Sequence, residues 1–240
     1  MPPRVTTVLI VGAGPVGLTL ALDLAWRGID VTIVERRQRG EPPEPKCNHV
    51  AARTMEIFHR LGVATKLRNA GLPADYPHDI AYRTTFTGIE ISRIHIPCRQ
   101  DRFTDMTGAD SHWPTAELPH RINQTFLEPI LFEHVFQTPR VTILNRCAIE
   151  SFVHTNDEVA ATVKSLDSGE TSLIRARYLV GCDGGRSVVR RGIGAKLEGD
   201  AIIQRVQATY IRAPDLIRRQ SFERLFAGWG YEPPSLPAGD

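Results

Sequence analysis

Three glycines and one carboxylate near the start of the chain have the spacing of a nucleotide site. Gly12, Gly14 and Gly17 fit the pattern G-x-G-x-x-G within "TTVLIVGAGPVGLTLALDLAW", and Glu35 follows 23 residues after Gly12, at the end of "DVTIVE". Gly12 permits a tight turn, Gly14 lets the backbone approach a pyrophosphate, and Gly17 lets a helix pack closely on the preceding strand. The start of that helix, with Val16 and Gly17, offers unsatisfied N–H groups and a partial positive charge to the phosphates. Glu35 can accept hydrogen bonds from ribose hydroxyls, and an acid there argues against a ribose 2′-phosphate. The chemistry is the holding of a dinucleotide. The pattern serves nicotinamide and flavin enzymes alike.

Other reactive residue types show no comparable order. The eight histidines lack metal-ligand spacing, so no metal site is expected. The four cysteines, at 47, 98, 147 and 182, have neither metal nor redox spacing. They read as free thiols with core roles, in a reducing compartment. No Ser/His/Asp or paired-carboxylate pattern emerges, so no catalytic acid or base is assigned. Lys and Arg number 29 against 27 Asp and Glu. That balance gives no electrostatic reason to expect nucleic acid or an anionic membrane. Hydrophobic residues make up 42% of the 240, enough for a sizeable core. No stretch reaches the roughly 18 apolar residues of a membrane span. The opening "MPPRVTTVLIVGAG" lacks a small-residue cleavage site. The expectation is a cytoplasmic protein with no membrane span, its oligomeric state open.

The elements that must position these residues follow from periodicity. Thr7 to Val11 is an apolar, β-branched run suited to a strand buried on both faces. Pro15 to Arg27 has helical spacing and Gly28 stops it; Asp30 to Glu35 forms a second strand, completing a parallel βαβ unit. A Pro-rich polar loop spans Arg37 to Pro45. "AARTMEIFHRLGV" predicts a helix with Ile57, Phe58 and Leu61 towards a core, an ion pair between Glu56 and Arg60, and Gly62 as its stop. "DIAYRTTFTGIEISRIHI" predicts a hairpin around Thr87 and Gly88. "NQTFLEPILFEHVFQ" predicts a helix bent or delayed by Pro129. "AIESFVHT", "EVAATVKSL" and "SLIRARYLV" form an antiparallel meander, the last two joined at "DSGE". The third runs into "YLVGCDGGRSVVRRGIG", where a strand ends at glycines and a helical turn begins. Ile202 to Arg212 predicts a further strand, and the tail is rich in Pro and Gly. Phe86, Phe103 and Trp113 are each assigned to the core.

A simple nicotinamide dehydrogenase continues in regular βαβ repeats, whereas this chain leaves for a hairpin, a helix and a meander before returning at "YLVGCDGGRS". With that return, the sequence resembles the class A FAD-dependent aromatic monooxygenases, the para-hydroxybenzoate hydroxylase-like group. "WPTAELPHRINQTFLEPIL" is similar to their phenol and hydroxyphenylpropionate hydroxylase branch. The likeness spans about Thr6 to Arg212. It implies an α/β fold: a Rossmann-like FAD-binding domain, its parallel sheet crossed by a β-meander, plus part of a mixed-sheet substrate domain. Residues 1–78 and 120–195 would form the first, 79–119 and 196–220 the second, and 221–240 an irregular tail.

By the same resemblance Gly12, Gly14, Gly17 and Glu35 hold the adenine half of FAD, and Arg36 matches the basic residue that follows the acid. Lys46, in "PKCN", stands where many members have an Arg near the pyrophosphate; Lys keeps the charge but loses the fork. Arg121 and Gln124, in "HRINQ", match residues on the flavin side of the cofactor. Asp183 and Gly184, followed by Arg186, Ser187 and Arg190, match a motif tied to both FAD and NAD(P)H. His120 is read as a loop residue beside them. The implied reaction takes electrons from NAD(P)H through FAD, activates O2 and places one oxygen atom on an aromatic, phenolic ring. Family members are considerably longer and carry a downstream "GD" motif in a "GDAAH"-like context for the ribityl chain, a context these 240 residues do not contain. A non-catalytic dinucleotide-binding module from a truncated relative is the alternative reading, and a nicotinamide-dependent reductase a weaker third.

Overall fold

The computed structural model describes residues 4–44, 46–85, 88–108, 114–200, 202, 203 and 205. The glycine turn lies between strand β1 (Arg4–Val11) and helix α1 (Pro15–Trp26), and strand β2 (Val31–Val34) completes the βαβ unit. Helices α2 (Ala52–Arg60) and α3 (Ala64–Ala70) follow, then the hairpin β3 (Ile80–Arg83) and β4 (Glu90–Ile94). Helix α4 (Gln124–Phe136) returns the chain to the main sheet through β5 (Val141–Leu144). The meander β6 (Cys147–His154), β7 (Val159–Ser165) and β8 (Thr171–Gly181) leads to the short helix α5 (Val188–Gly192).

The main sheet has the order β5-β2-β1-β8-β7-β6, with β3 and β4 forming a separate two-stranded sheet. β1 pairs in parallel with β2 on one side and with β8 on the other, so it is the inner strand from which the glycine turn departs. β8 then pairs antiparallel with β7, and β7 with β6.

Alternation along β1 divides its side chains between two cores. Val8 and Ile10 pack with Leu18, Leu22, Met55, Phe58 and Leu131 under the helices. Leu9 and Val11 pack with Ile149, Ala161, Val163 and Ile174 of the meander, together with Val34. The meander therefore folds over the face opposite α1. Burial on both faces explains the nearly continuous apolar runs of β1 and β2.

Several local expectations are corrected. Val141–Leu144 is a strand and Ala64–Ala70 a helix, neither of which was anticipated. Glu56 does not pair with Arg60: it meets Arg53 at 3.2 Å and accepts from the Thr115 hydroxyl at 3.0 Å, while Arg60 reaches Asp23 at 2.8 Å. Pro129 lies inside α4 without delaying its start; the fixed φ of proline suits a helix, and only one carbonyl loses its partner. Phe103 is 69% exposed rather than core, and Cys47 is exposed. Phe86 and Trp113 lie outside the described residues, as do Thr87 and nearly all of the strand expected over 202–212. Gly28 and Gly62 end their helices at positive φ as expected. Among the described residues, no helix is long and apolar enough to cross a membrane.

Candidate dinucleotide-binding site

The carboxyl ends of β1, β2 and β8 open into one cleft of about 780 Å3. This is the edge at which an open α/β sheet receives ligands. The turn is sewn to its neighbours: Gly12 N–H donates to Val34 O at 2.8 Å, and Cys182 N–H to Val11 O at 2.8 Å.

The three glycines do different things. Gly12 sits at φ +100°, and a Cβ there would lie 2.6 Å from the Cys182 carbonyl oxygen. A Cβ on Gly17 would lie 2.0 Å from the Gly12 carbonyl oxygen. Both are glycine because the chain itself demands it. Gly14 is different: its φ is −76°, open to any residue, and a Cβ there meets nothing within 4 Å. The space it leaves lies in the cleft floor. Beside it α1 begins with no side-chain cap and with proline in its first turn, and Val16 faces the cleft. Bare backbone N–H groups thus border an open floor, which suits a pyrophosphate.

Glu35 is buried, and both its oxygens are engaged. One accepts from Ala13 N–H at 2.6 Å, the other from Arg37 N–H at 2.8 Å and Arg37 Nε at 3.3 Å. A carboxylate has about four acceptor positions, so about one remains for a ribose hydroxyl. Arg37 also meets buried Glu128 at 2.5 Å, and Gln124 Nε2 donates to the other Glu128 oxygen at 2.9 Å. Burial works to lower the Arg37 pKa, but Glu35 and Glu128 outweigh it and hold the guanidinium above its ordinary value. Arg36, the basic residue singled out in the sequence, is exposed on the cleft wall; Arg37 makes the contacts.

Lys46 rims the cleft, paired at 3.0 Å with Glu44. Gln124 lines it, and its backbone N–H donates to Cys47 O at 3.1 Å. Its helix is capped by Asn123, whose side chain accepts from Thr125 N–H at 3.0 Å. Arg121 is not among the lining residues; Nη2 donates to the His78 carbonyl at 3.0 Å. The structure therefore brings Gln124 to the cleft and holds Arg121 elsewhere. His120 is buried against α3, Nε2 on Leu67 O at 3.0 Å, and burial lowers its pKa.

Asp183 and Gly184 line the wall opposite. Asp183 Oδ2 accepts from Val188 N–H at 2.6 Å, capping the approach to α5, while Oδ1 is buried with no hydrogen-bond partner. A buried carboxylate oxygen without a donor fits a ligand hydroxyl. Gly184 has φ +75°, which turns the chain there. Sequence reasoning missed Cys147, Ala148 and Ile149, which also line the cleft. Cys147 N–H donates to Glu35 O at 3.0 Å, fixing the start of β6 beside the acid. The "VTIL" strand before it was the available signal. Among the described residues, no His/Cys/Asp/Glu group could hold a metal.

The sequence matches the FAD binding domain family over residues 5–232. Phenol 2-monooxygenase of Pseudomonas sp. (strain EST1001) is 32% identical over 195 residues, 80% of this chain and 31% of that protein. A probable NADH-specific resorcinol 4-hydroxylase of Rhodococcus jostii (strain RHA1) is 31% identical, covering 81% of this chain and 34% of its own. Among solved structures, the rebeccamycin biosynthetic enzyme RebC with reduced flavin superposes at TM-score 0.69 with 38% identity, over 80% of this chain and 35% of RebC. The flavin-dependent monooxygenase PieE, in complex with FAD and substrate, gives 0.73 with 28% identity, over 83% of this chain and 34% of PieE. The chain spans about a third of the length of these relatives.

Proposed function

The chain belongs to the FAD binding domain family, and from that premise we propose that it carries the cofactor-holding part of a flavin-dependent monooxygenase acting on an aromatic, phenol-class substrate with O2 and NAD(P)H. The observation that carries this reading is the cleft floor at Gly14. Open space there, beside an uncapped helix start, serves nothing within the chain itself.

In this reading Gly12, Gly14, Val16 and Gly17 take the pyrophosphate, with Lys46 and Arg36 adding positive charge at the rim. Glu35 holds the adenosine ribose. Gln124, Asp183 and Gly184 face the flavin half, where Asp183 Oδ1 awaits a hydroxyl donor. Arg121, expected in this set by resemblance, turns instead to the His78 carbonyl outside the cleft lining. Bound FAD supplies the redox chemistry with O2; the protein binds it, orients it and excludes water. Residues 1–78 and 120–195 form the FAD unit, and 79–119 with 196–220 begin a substrate unit; the separate β3–β4 sheet supports that division. Four free cysteines fit a reducing, cytoplasmic setting.

Titration of the purified chain with FAD, followed by quenching of flavin fluorescence, tests the assignment. Saturable binding that Gly14→Val abolishes is expected. FAD binding untouched by that change would remove the pyrophosphate from this turn. Oxidation of NAD(P)H by the FAD-loaded chain separates an enzyme from a non-catalytic dinucleotide-binding module.

A further inference from the structure

Glu128 is a buried acid on helix α4, only 5% exposed, and it also borders the cleft. It meets Arg37, and Arg37 meets Glu35, so two sheltered carboxylates share one guanidinium. Gln124, one turn earlier on α4, adds a neutral donor to Glu128 Oε2 at 2.9 Å. The group of Glu35, Arg37, Glu128 and Gln124 thus holds one more negative charge than positive. Sheltering an excess charge is unfavourable, and a structural ion pair would need only one acid.

The sharing is unequal. Arg37 Nη2 lies 2.5 Å from Glu128 Oε1, whereas Nε lies 3.3 Å from Glu35 Oε1. A guanidinium favours two parallel N–H bonds to one carboxylate, and Arg37 forms that fork with neither acid. Gln124 occupies Glu128 Oε2 and so leaves Oε1 to Arg37.

Glu35 gains from this arrangement. Its Oε1 accepts from Arg37 N–H and Nε, and its Oε2 from Ala13 N–H. About one of its four acceptor positions is left. Were Nη2 released from Glu128, it could join Nε in a fork on Glu35 and fill that position. Space for the swing lies beside the pair, in a cavity of about 200 Å3 lined by Arg37, Glu128, Phe132, Pro43 and Asn145.

We propose that Glu128 is a positioning residue for the nucleotide: it draws the Arg37 guanidinium off Glu35 and keeps one carboxylate position open to a ribose hydroxyl. The inference rests on the reading that Glu35 holds the adenosine ribose. Glu128 acts through Arg37 and touches no ligand itself. The site then selects a ribose that carries its hydroxyls over one that lacks them.

The experiment titrates two probes calorimetrically into the full chain, with FAD alongside. ADP carries the adenosine and pyrophosphate of FAD, and 2′,3′-dideoxy-ADP lacks both ribose hydroxyls. Wild type is expected to favour ADP by at least about tenfold, the scale of a hydrogen bond to a charged group. Glu128→Gln keeps the size of the side chain and removes its charge. Its preference should shrink to within about twofold as the fork closes on Glu35. Arg37→Met in the Glu128→Gln background removes the competing guanidinium, while the backbone N–H at position 37 still serves Glu35. The preference for ADP should then return.

A merely structural Glu128 would weaken both probes together and leave their ratio as in wild type. That ratio in Glu128→Gln, with wild type still taking FAD, would overturn the proposal alone. A double variant that folds without the preference would also overturn it, and this arm stands by itself if Glu128→Gln does not fold. Failure of the double variant to fold counts against the proposal too, because the pair would then be serving the fold. Equal or undetectable wild-type binding of the two probes would overturn the proposal together with the placement of the ribose on Glu35.

Discussion

Gly14 and Gly12 belong to one motif yet answer to different masters, and substitution separates them. Gly14→Ala adds a methyl to open space at an ordinary φ. It should cost stability no more than about 1 kcal/mol, the price of losing an N-cap glycine, while FAD affinity falls at least about tenfold as the methyl meets the pyrophosphate. Gly12→Ala should instead lose about 2–5 kcal/mol of stability, from strained φ and overpacking against the Cys182 carbonyl. Urea unfolding beside FAD titration of both variants gives the four numbers. Equal stability losses would refute the division. Glu35 joins both roles, because its carboxylate also satisfies Ala13 N–H and Arg37. Glu35→Ala should therefore cost about 1–3 kcal/mol of stability in the ligand-free chain for the stranded donor, besides weakening FAD. A melt of the ligand-free variant that matches wild type would show that those bonds carry no weight.

Elements differ in how much of themselves the sequence discloses. β1, α1 and β2 were legible because both strand faces are buried and the helix is bounded by Pro15 and Gly28, so composition and punctuation agree. The meander was legible from alternation and the turn at "DSGE". β5 escaped notice because four residues carry no period of their own; its place is set by pairing with β2, Val31 opposite Val141. Missing β5 hid the wall that Cys147 to Ile149 build. The link from Arg37 to Glu128 was equally hidden, since it joins a loop after β2 to the middle of α4 and exists only once both pack. Arg36, adjacent in sequence, was chosen in its place. A smaller tertiary link sets a pH dependence. His95 joins Asp105, at 2.7 Å, and Asp79, at 3.1 Å, tying the segment 101–108 to the end of β4. The hydrogen bond to Asp105 and the charges of Asp79 and Asp105 raise the His95 pKa against the opposing effect of burial. A raised folded pKa means this contribution is complete below the unfolded value near 6.5 and fades as pH climbs through the folded one. Amide exchange in residues 101–108 should accelerate over that rise beyond the ordinary base catalysis of exchange, and His95→Gln should remove the excess. An identical profile in the variant would discharge His95 of the role.

At the scale of the molecule, the β3–β4 hairpin stands apart from the main sheet and shows apolar side chains to solvent, with Ile89 76% and Ile91 71% exposed. Such a patch favours association. The chain expressed alone should self-associate as its concentration rises, and the double change Ile89→Lys, Ile91→Lys should return it towards monomer in analytical ultracentrifugation. A concentration-independent monomer would leave the patch without that consequence. The strand order carries a further implication, for synthesis rather than for binding. β1 lies between β2 and β8, with Val8 opposite both Val31 and Tyr178. One neighbour is 23 residues away along the chain, the other 170. At about 5–20 residues per second, a ribosome delivers the second roughly seven to thirty seconds after the first. Throughout that interval the largely buried β1 keeps one edge unpaired. Its escape from aggregation depends on what attends the ribosome, so depletion of nascent-chain holdases should lower the soluble yield of this protein more than that of one whose first strand finds both neighbours early.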